Sequence, residues 1–137
     1  MAQPRGLRVV KTDAEWKRIL TPDQYSVLRQ AATERPFSNV LNNEHRKGIF
    51  YCIGCKWPLY SSKDKFESGT GWPSFTRPIN GQAVTLQHDT SLMMDRTAVS
   101  CASCGGHLGH VFDDGPPPTG KRYCMNGTAM LFMPGAT

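Results

Sequence analysis

At 137 residues the chain is long enough to bury one core, and with 39% hydrophobic and 20% charged residues it is too apolar for a disordered tail. Its five cysteines are an odd number, which excludes a fully paired intrachain disulfide framework and leaves a free thiol or a metal site. The net charge of +5 is uneven, with nine Lys and Arg against five Asp and Glu in residues 1–47 and seven against six in residues 48–137, so no basic groove for nucleic acid is expected.

Residues 1–11 read as a flexible basic leader and residues 12–137 as a single domain. The leader lacks the apolar stretch of a secretory signal, and the longest apolar run, Ala129-Met130-Leu131-Phe132-Met133, is too short to span a bilayer. The expectation is a reducing, cytoplasmic setting without a membrane partner, where cysteines serve as metal ligands or catalysts. Thr12-Asp13-Ala14-Glu15 has the spacing of a capping box and predicts a short helix with Trp16, Ile19 and Leu20 on one face. Thr21-Pro22-Asp23-Gln24 repeats the signal with proline at the first helical position, predicting a second helix through about Ala32 with Tyr25, Leu28 and Ala32 as its apolar stripe. Pro36 ends helical structure. From Gly48 onward, short β-branched and aromatic segments between glycines and prolines predict antiparallel strands at Ile49–Ile53, Ala83–Gln87, Ala98–Cys101, His110–Phe112 and Arg122–Phe132. The proline-rich run from Asp113 to Gly120 predicts a rigid loop feeding the last strand pair.

Cys52-x2-Cys55 and Cys101-x2-Cys104 are two knuckles whose four thiolates suit the closed tetrahedral shell of one structural zinc ion. Gly54, Gly105 and Gly106 supply the tight turns such a site requires. Two redox motifs or four buried thiols are the competing readings, and a variant with His107 as ligand would leave one cysteine idle. The fifth cysteine, Cys124, shares a strand face with Arg122 and Asn126 if side chains alternate, and a guanidinium two residues away favours the nucleophilic thiolate. A lone cysteine of this kind is otherwise an inert buried thiol. His107 and His110, in the loop after the second knuckle, tip the reading toward a nucleophile because such a cysteine needs a proton donor. His45 and His88 read as surface residues. In Gly69-Thr70-Gly71-Trp72-Pro73-Ser74-Phe75 the glycines and proline allow Trp72 to stand at a cleft, where an indole face suits a methyl on sulfur. Trp72 and Phe75 as core fillers is the equal alternative. Met93, Met94, Met130 and Met133 are assigned to core or cleft wall.

Several ordered segments resemble the methionine sulfoxide reductase B family: Leu20-Thr21-Pro22-x2-Tyr25, Thr33-Glu34-x-Pro36-Phe37, Ser68-Gly69-x-Gly71-Trp72-Pro73-Ser74-Phe75, His107-Leu108-Gly109-His110-Val111-Phe112 and Gly115-Pro116-x-Pro118-Thr119-Gly120-x-Arg122-Tyr123-Cys124-x-Asn126. The resemblance runs from about residue 16 to the end of the chain. It implies a mainly β, β-tent-like fold of two antiparallel sheets with short N-terminal helices and a structural zinc site. It also implies a monomeric oxidoreductase that reduces the R epimer of methionine sulfoxide, in oxidised proteins and as the free amino acid. Cys124 would be the nucleophile, passing through a sulfenic acid. His107 and His110 would bind or protonate the sulfoxide oxygen, and Arg122 and Asn126 would organise the thiolate. Trp72 would hold the ε-methyl, with Phe112 and Asp113 completing the pocket and its polar edge.

Three departures from the family pattern stand out. Thr70 occupies the place of a frequent resolving cysteine, so the implied enzyme has one catalytic cysteine and relies on thioredoxin, or on glutathione with glutaredoxin. Gly127 replaces a common serine, which is expected to loosen the loop, and Ala98 replaces a frequent glutamate. The enzyme reading competes with a noncatalytic zinc-stabilised β binding module and, more remotely, with a zinc ribbon for nucleic acid.

Overall fold

The computed structural model describes residues 7–135, so the first half of the expected leader and the last two residues lie outside the described ones. The Arg8 and Val9 amides both donate to the Ser103 carbonyl, at 2.7 and 3.0 Å, and the Arg8 guanidinium lies over the Trp57 ring, so this part of the leader rests on the second knuckle.

Both capping boxes form. Helix α1 spans Asp13–Ile19 and α2 spans Pro22–Gln30, each with its N-cap threonine and third-position Glu or Gln bonded reciprocally. Helix α2 stops before Ala32 because Ala31 takes a left-handed conformation, φ 58°. The buried residues are Trp16, Leu20, Val27 and Leu28, whereas Ile19 is 54% exposed. Seven residues make barely two turns, so only Trp16 and the cap Leu20 reach the core.

The remainder is β. Strands β1 (Gly48–Cys52) and β2 (Pro58–Ser61) precede β3 (Lys65–Phe66) and β4 (Ser74–Phe75). Strands β5 (Val84–Asp89), β6 (Arg96–Cys101), β7 (His107–Phe112), β8 (Arg122–Met125) and β9 (Met130–Pro134) follow. They form a three-stranded sheet in the order β2-β1-β9 and a six-stranded sheet in the order β3-β4-β8-β7-β6-β5, antiparallel throughout. The single segment expected at Arg122–Phe132 is thus two strands in different sheets, divided by a 3-10 turn at Gly127–Ala129. Strands β2, β3 and β4 are too short to stand out by alternation.

Aromatic rings join the sheets. Phe75 of β4 stacks on Tyr60 of β2 at 4.4 Å and meets Phe50 of β1 edge-on at 5.0 Å; all three rings are fully buried. Of the four methionines expected in core or cleft wall, only Met130 is buried, and Met93, Met94 and Met133 are exposed, because Met93 and Met94 sit at the β5–β6 turn and Met133 ends an outer strand.

Strands β7 and β8 approach so closely that position 109 tolerates no side chain. A Cβ on Gly109 would lie 2.1 Å from the Cys124 carbonyl oxygen and 2.9 Å from the Met125 Cα, both backbone atoms. Gly109→Ala is therefore expected to destabilise the protein by about 1–3 kcal/mol, read as a lower midpoint of urea unfolding with an unchanged slope.

Candidate metal centre and active site

Cys52 ends β1 in one sheet and Cys101 ends β6 in the other, and the two knuckles fold back until all four sulfurs lie within 4.8 Å of one another. The Cys52–Cys104 and Cys55–Cys101 Sγ separations are 3.8 and 3.6 Å. Tetrahedral sulfur ligands at zinc–sulfur bond length stand about 3.8 Å apart, so the four thiols have the spacing of a closed metal shell. The turns are alike: the Lys56 amide donates to the Cys52 carbonyl and the Gly105 amide to the Cys101 carbonyl, with φ 65° at Lys56 and 77° at Gly105. Arg29 of α2 lies over the Trp16 ring and donates to the Cys104 carbonyl at 3.1 Å, tying the helices to the cluster. His107 stands outside the four-sulfur group.

Cys124 sits at the centre of β8, opposite Ser74 on one side and His110 on the other. Its half-buried thiol faces a cavity of about 240 Å³ shared with Thr33, Thr70, Trp72, His110 and Asn126. Arg96, Phe112 and Arg122 complete the polar and apolar walls. Arg122 and Asn126 do share Cys124's face, as alternation predicts. Burial pushes the thiol above its ordinary pKa, and the pull of the Arg122 guanidinium in the other direction is outweighed. Cys124 is therefore held as the thiol at rest.

Arg122 is fixed by two bonds to Asp114, 2.8 and 3.1 Å, and by its position over the Phe112 ring. Asp113, expected at the polar edge, lies outside the cavity: its exposed carboxylate pairs with Lys121, and its neighbour Asp114 faces the site through Arg122. Trp72 lines the cavity while Phe75 is core, so the two aromatics of that segment divide between the two readings. The Trp72 indole N–H donates to the Glu34 carbonyl at 3.0 Å, which sets the ring plane.

His107 and His110 both lie on β7, so the strand expected at His110–Phe112 begins earlier, at His107, the residue expected in the loop. Residues three apart in a regular strand face opposite sides, but the register shift between β6 and β7 at Val99/Ser100 inserts one residue, and the two rings meet edge-on at 5.3 Å. His110 lines the cavity, and its Nε2 is 2.8 Å from the Asp89 carboxylate, itself held well below the usual carboxylate range by His110 and by Ser91. His107 lines the neighbouring polar groove of about 630 Å³, which shares Thr33, Arg96 and His110 with the cavity. Burial lowers the His107 pKa from 6.5 to about 4, so its ring is neutral at pH 7.

Glu34 has no distinguishing sequence signal beyond the segment that resembles the family, yet it organises the site. Its carboxylate accepts from the Gly127 and Thr128 amides and the Thr128 hydroxyl at 2.7–2.9 Å, and its own amide donates to the Asn126 side-chain oxygen. The Asn126 side-chain amide in turn donates to the Leu108 carbonyl. The loop at Gly127 is therefore pinned, and Asn39 fills the place of a Cβ, 2.4 Å from where one would stand. Ala98 lies opposite His110 and opens the groove wall where Asp89, from the next strand, reaches the imidazole. Asp89, Arg96 and Thr33 escaped the sequence reading because each is polar, local in its own turn or strand, and brought in only by sheet register. His45 and His88 are exposed, paired with Glu67 and Asp95.

The neutral His107 makes a pH prediction. Its pKa is lower folded than unfolded, so the unfolded chain binds the proton first; this contribution to stability is complete above pH 6.5 and lost as pH falls toward about 4. The urea midpoint of the wild type should fall more steeply across that window than that of His107→Gln.

The SelR domain family matches residues 20–134. A protein of Methanosarcina barkeri called peptide methionine sulfoxide reductase MsrB is 56% identical over 124 residues, covering 90% of this chain and 87% of that protein. Proteins of the same name from Agrobacterium fabrum and Pseudomonas fluorescens are each 52% identical over 127 residues, covering 93% of this chain and 94% and 97% of theirs. The family match runs over residues 20–134, a range that contains both knuckles and the cavity-lining residues, and the chain belongs to the SelR domain family.

Proposed function

We propose that this protein is an oxidoreductase that reduces the R epimer of methionine sulfoxide, in oxidised proteins and as the free amino acid, with Cys124 as nucleophile. The observation that carries the reading is the meeting of one thiol, an indole face and an imidazole in a single cavity, in a chain 52–56% identical to proteins named peptide methionine sulfoxide reductase MsrB. A volume near 240 Å³ suits one side chain more than a cofactor.

The Trp72 face takes the ε-methyl, and the sulfoxide oxygen lies toward His110, whose ring Asp89 orients. The ionised Cys124 sulfur attacks the sulfoxide sulfur while its oxygen gains a proton from His110. Oxygen passes to Cys124 as sulfenic acid, methionine leaves reduced by two electrons, and the cysteine is oxidised by two. Arg122 stabilises the thiolate form, and Asn126 holds β8 to β7 through Leu108. His107, neutral and in the adjoining groove, is assigned packing against His110 and not proton delivery. The other four cysteines are clustered together, so no intrachain thiol is assigned to resolve the sulfenic acid. An external thiol condenses with it, releasing water, and a second thiol frees Cys124; thioredoxin, or glutathione with glutaredoxin, supplies both.

One zinc ion held by Cys52, Cys55, Cys101 and Cys104 would supply a structural cross-link between the sheets. Among the described residues no helix is long and apolar enough to cross a membrane.

With dithiothreitol as reductant and separated epimers as substrates, the R epimer should be reduced and the S epimer left, and Cys124→Ser should slow turnover by at least about 10³-fold. Absence of R-epimer turnover, or turnover indifferent to Cys124→Ser, overturns the reading. Stripping metal with a strong chelator should lower the thermal midpoint, and added zinc should restore it. A midpoint unmoved by the chelator removes the metal assignment.

A further inference from the structure

Behind the nucleophile, on the side away from His110, three hydroxyls form a row. The Thr70 and Ser68 hydroxyl oxygens are 2.8 Å apart, those of Ser68 and Ser74 are 2.7 Å apart, and Ser74 reaches the Trp72 carbonyl at 3.1 Å. The near end of the row stands beside the nucleophile, since Thr70 and Cys124 line the same cavity wall. The far end is anchored, since Ser74 is fully buried and pairs with Cys124 across β4 and β8. The Thr70 amide also donates to Ser68, at 3.3 Å.

We propose that Thr70, Ser68 and Ser74 are a reversible chain of hydroxyl hydrogen bonds that turns toward the Cys124 thiolate and donates to it, with Thr70, beside it on the cavity wall, as the positioning residue. The inference rests on the reading of Cys124 as nucleophile. In the thiol state the bonds run one way: Cys124 donates to Thr70, Thr70 to Ser68, Ser68 to Ser74, and Ser74 to the Trp72 carbonyl. Each hydroxyl then donates once and the chain is complete. When the thiol ionises, its proton leaves for water at the cavity mouth, and the three hydroxyls turn. Ser74 now donates to Ser68, Ser68 to Thr70, and Thr70 to the sulfur anion. No proton travels along the row; only the Trp72 carbonyl gives up a donor. Ser68 accepts the Thr70 amide in both states, within its two lone pairs.

The charged groups facing Cys124 make such a donor useful. Arg122 on its own strand favours the anion, Glu34 opposes it, His110 and Arg96 stand across the cavity, and burial works against the charge. Arg122 is already committed to Asp114. A hydroxyl that can either accept from the thiol or donate to the thiolate serves both states, and a row of them strengthens the terminal bond by mutual polarisation. Backbone shape alone does not require a hydroxyl at position 70, because Thr70 is not one of the left-handed positions; its neighbours Gly69 and Gly71 are, at φ 78° and 97°.

The test is the pH dependence of Cys124 alkylation by iodoacetamide without substrate, followed by peptide mass spectrometry so that the other four cysteines do not contribute. Thr70→Val should raise the midpoint by about one pH unit, about a tenfold slowing below it, and Thr70→Ser should restore the wild-type midpoint. Ser68→Ala, half-buried and off the cavity wall, should raise it by a smaller amount in the same direction. A Thr70→Val midpoint equal to wild type overturns the proposal, as does a Thr70→Ser midpoint equal to that of Thr70→Val or a Ser68→Ala midpoint equal to wild type. The measurement involves no sulfoxide, so its failure is distinct from failure of the epimer assay.

Discussion

The gathering of four sulfurs at the ends of β1 and β6 is the constraint on which the site depends. It joins the two sheets at one point, and the chain leaves the second knuckle directly into β7: the Cys101 amide donates to the Gly106 carbonyl, and His107 follows at once. Fixing the knuckle therefore fixes where β7 begins and how its bulge is phased against β6. Leu28 and Trp16 pack so tightly on the knuckle glycines that a Cβ at Gly54 or Gly106 would come within 2.6 Å of Leu28. The helices thus bear on the four-sulfur cluster, and the cluster on the histidine strand.

A second link runs through Glu34. A carboxylate from the segment after α2 closes the turn between β8 and β9 and its backbone holds both Trp72 and Asn126. The turn is where the chain passes from the six-stranded sheet to the three-stranded one. One residue thereby couples the floor of the cavity and its indole wall, through its backbone, to the crossing between sheets, through charge-assisted bonds from its carboxylate.

Electrostatically the cavity is poised and not pre-ionised. Burial keeps the Cys124 thiol protonated, and the opposing pull of the Arg122 guanidinium does not overcome it. His110 is held by Asp89 on the groove side, and His107 is kept neutral by burial. Two histidines close in sequence therefore stand in different environments, one bonded to a carboxylate and the other buried.

Sequence alone was enough for the features whose signals are local. Capping boxes at Thr12 and Thr21 satisfy exposed amides within four residues, the paired CxxC knuckles carry their own turn geometry, and strand alternation already places Arg122, Cys124 and Asn126 on one face. Tertiary structure decided everything that depends on which strands become neighbours. Register set Ser74 and His110 on either side of Cys124, a single bulge turned His107 and His110 to meet, and the split of Arg122–Phe132 into two sheets brought Glu34 against Gly127 across more than ninety residues. It also moved Asp113 out of the site and Asp89 in. Such choices follow from long-range pairing energies shared among many residues, which leave no pattern within any one segment.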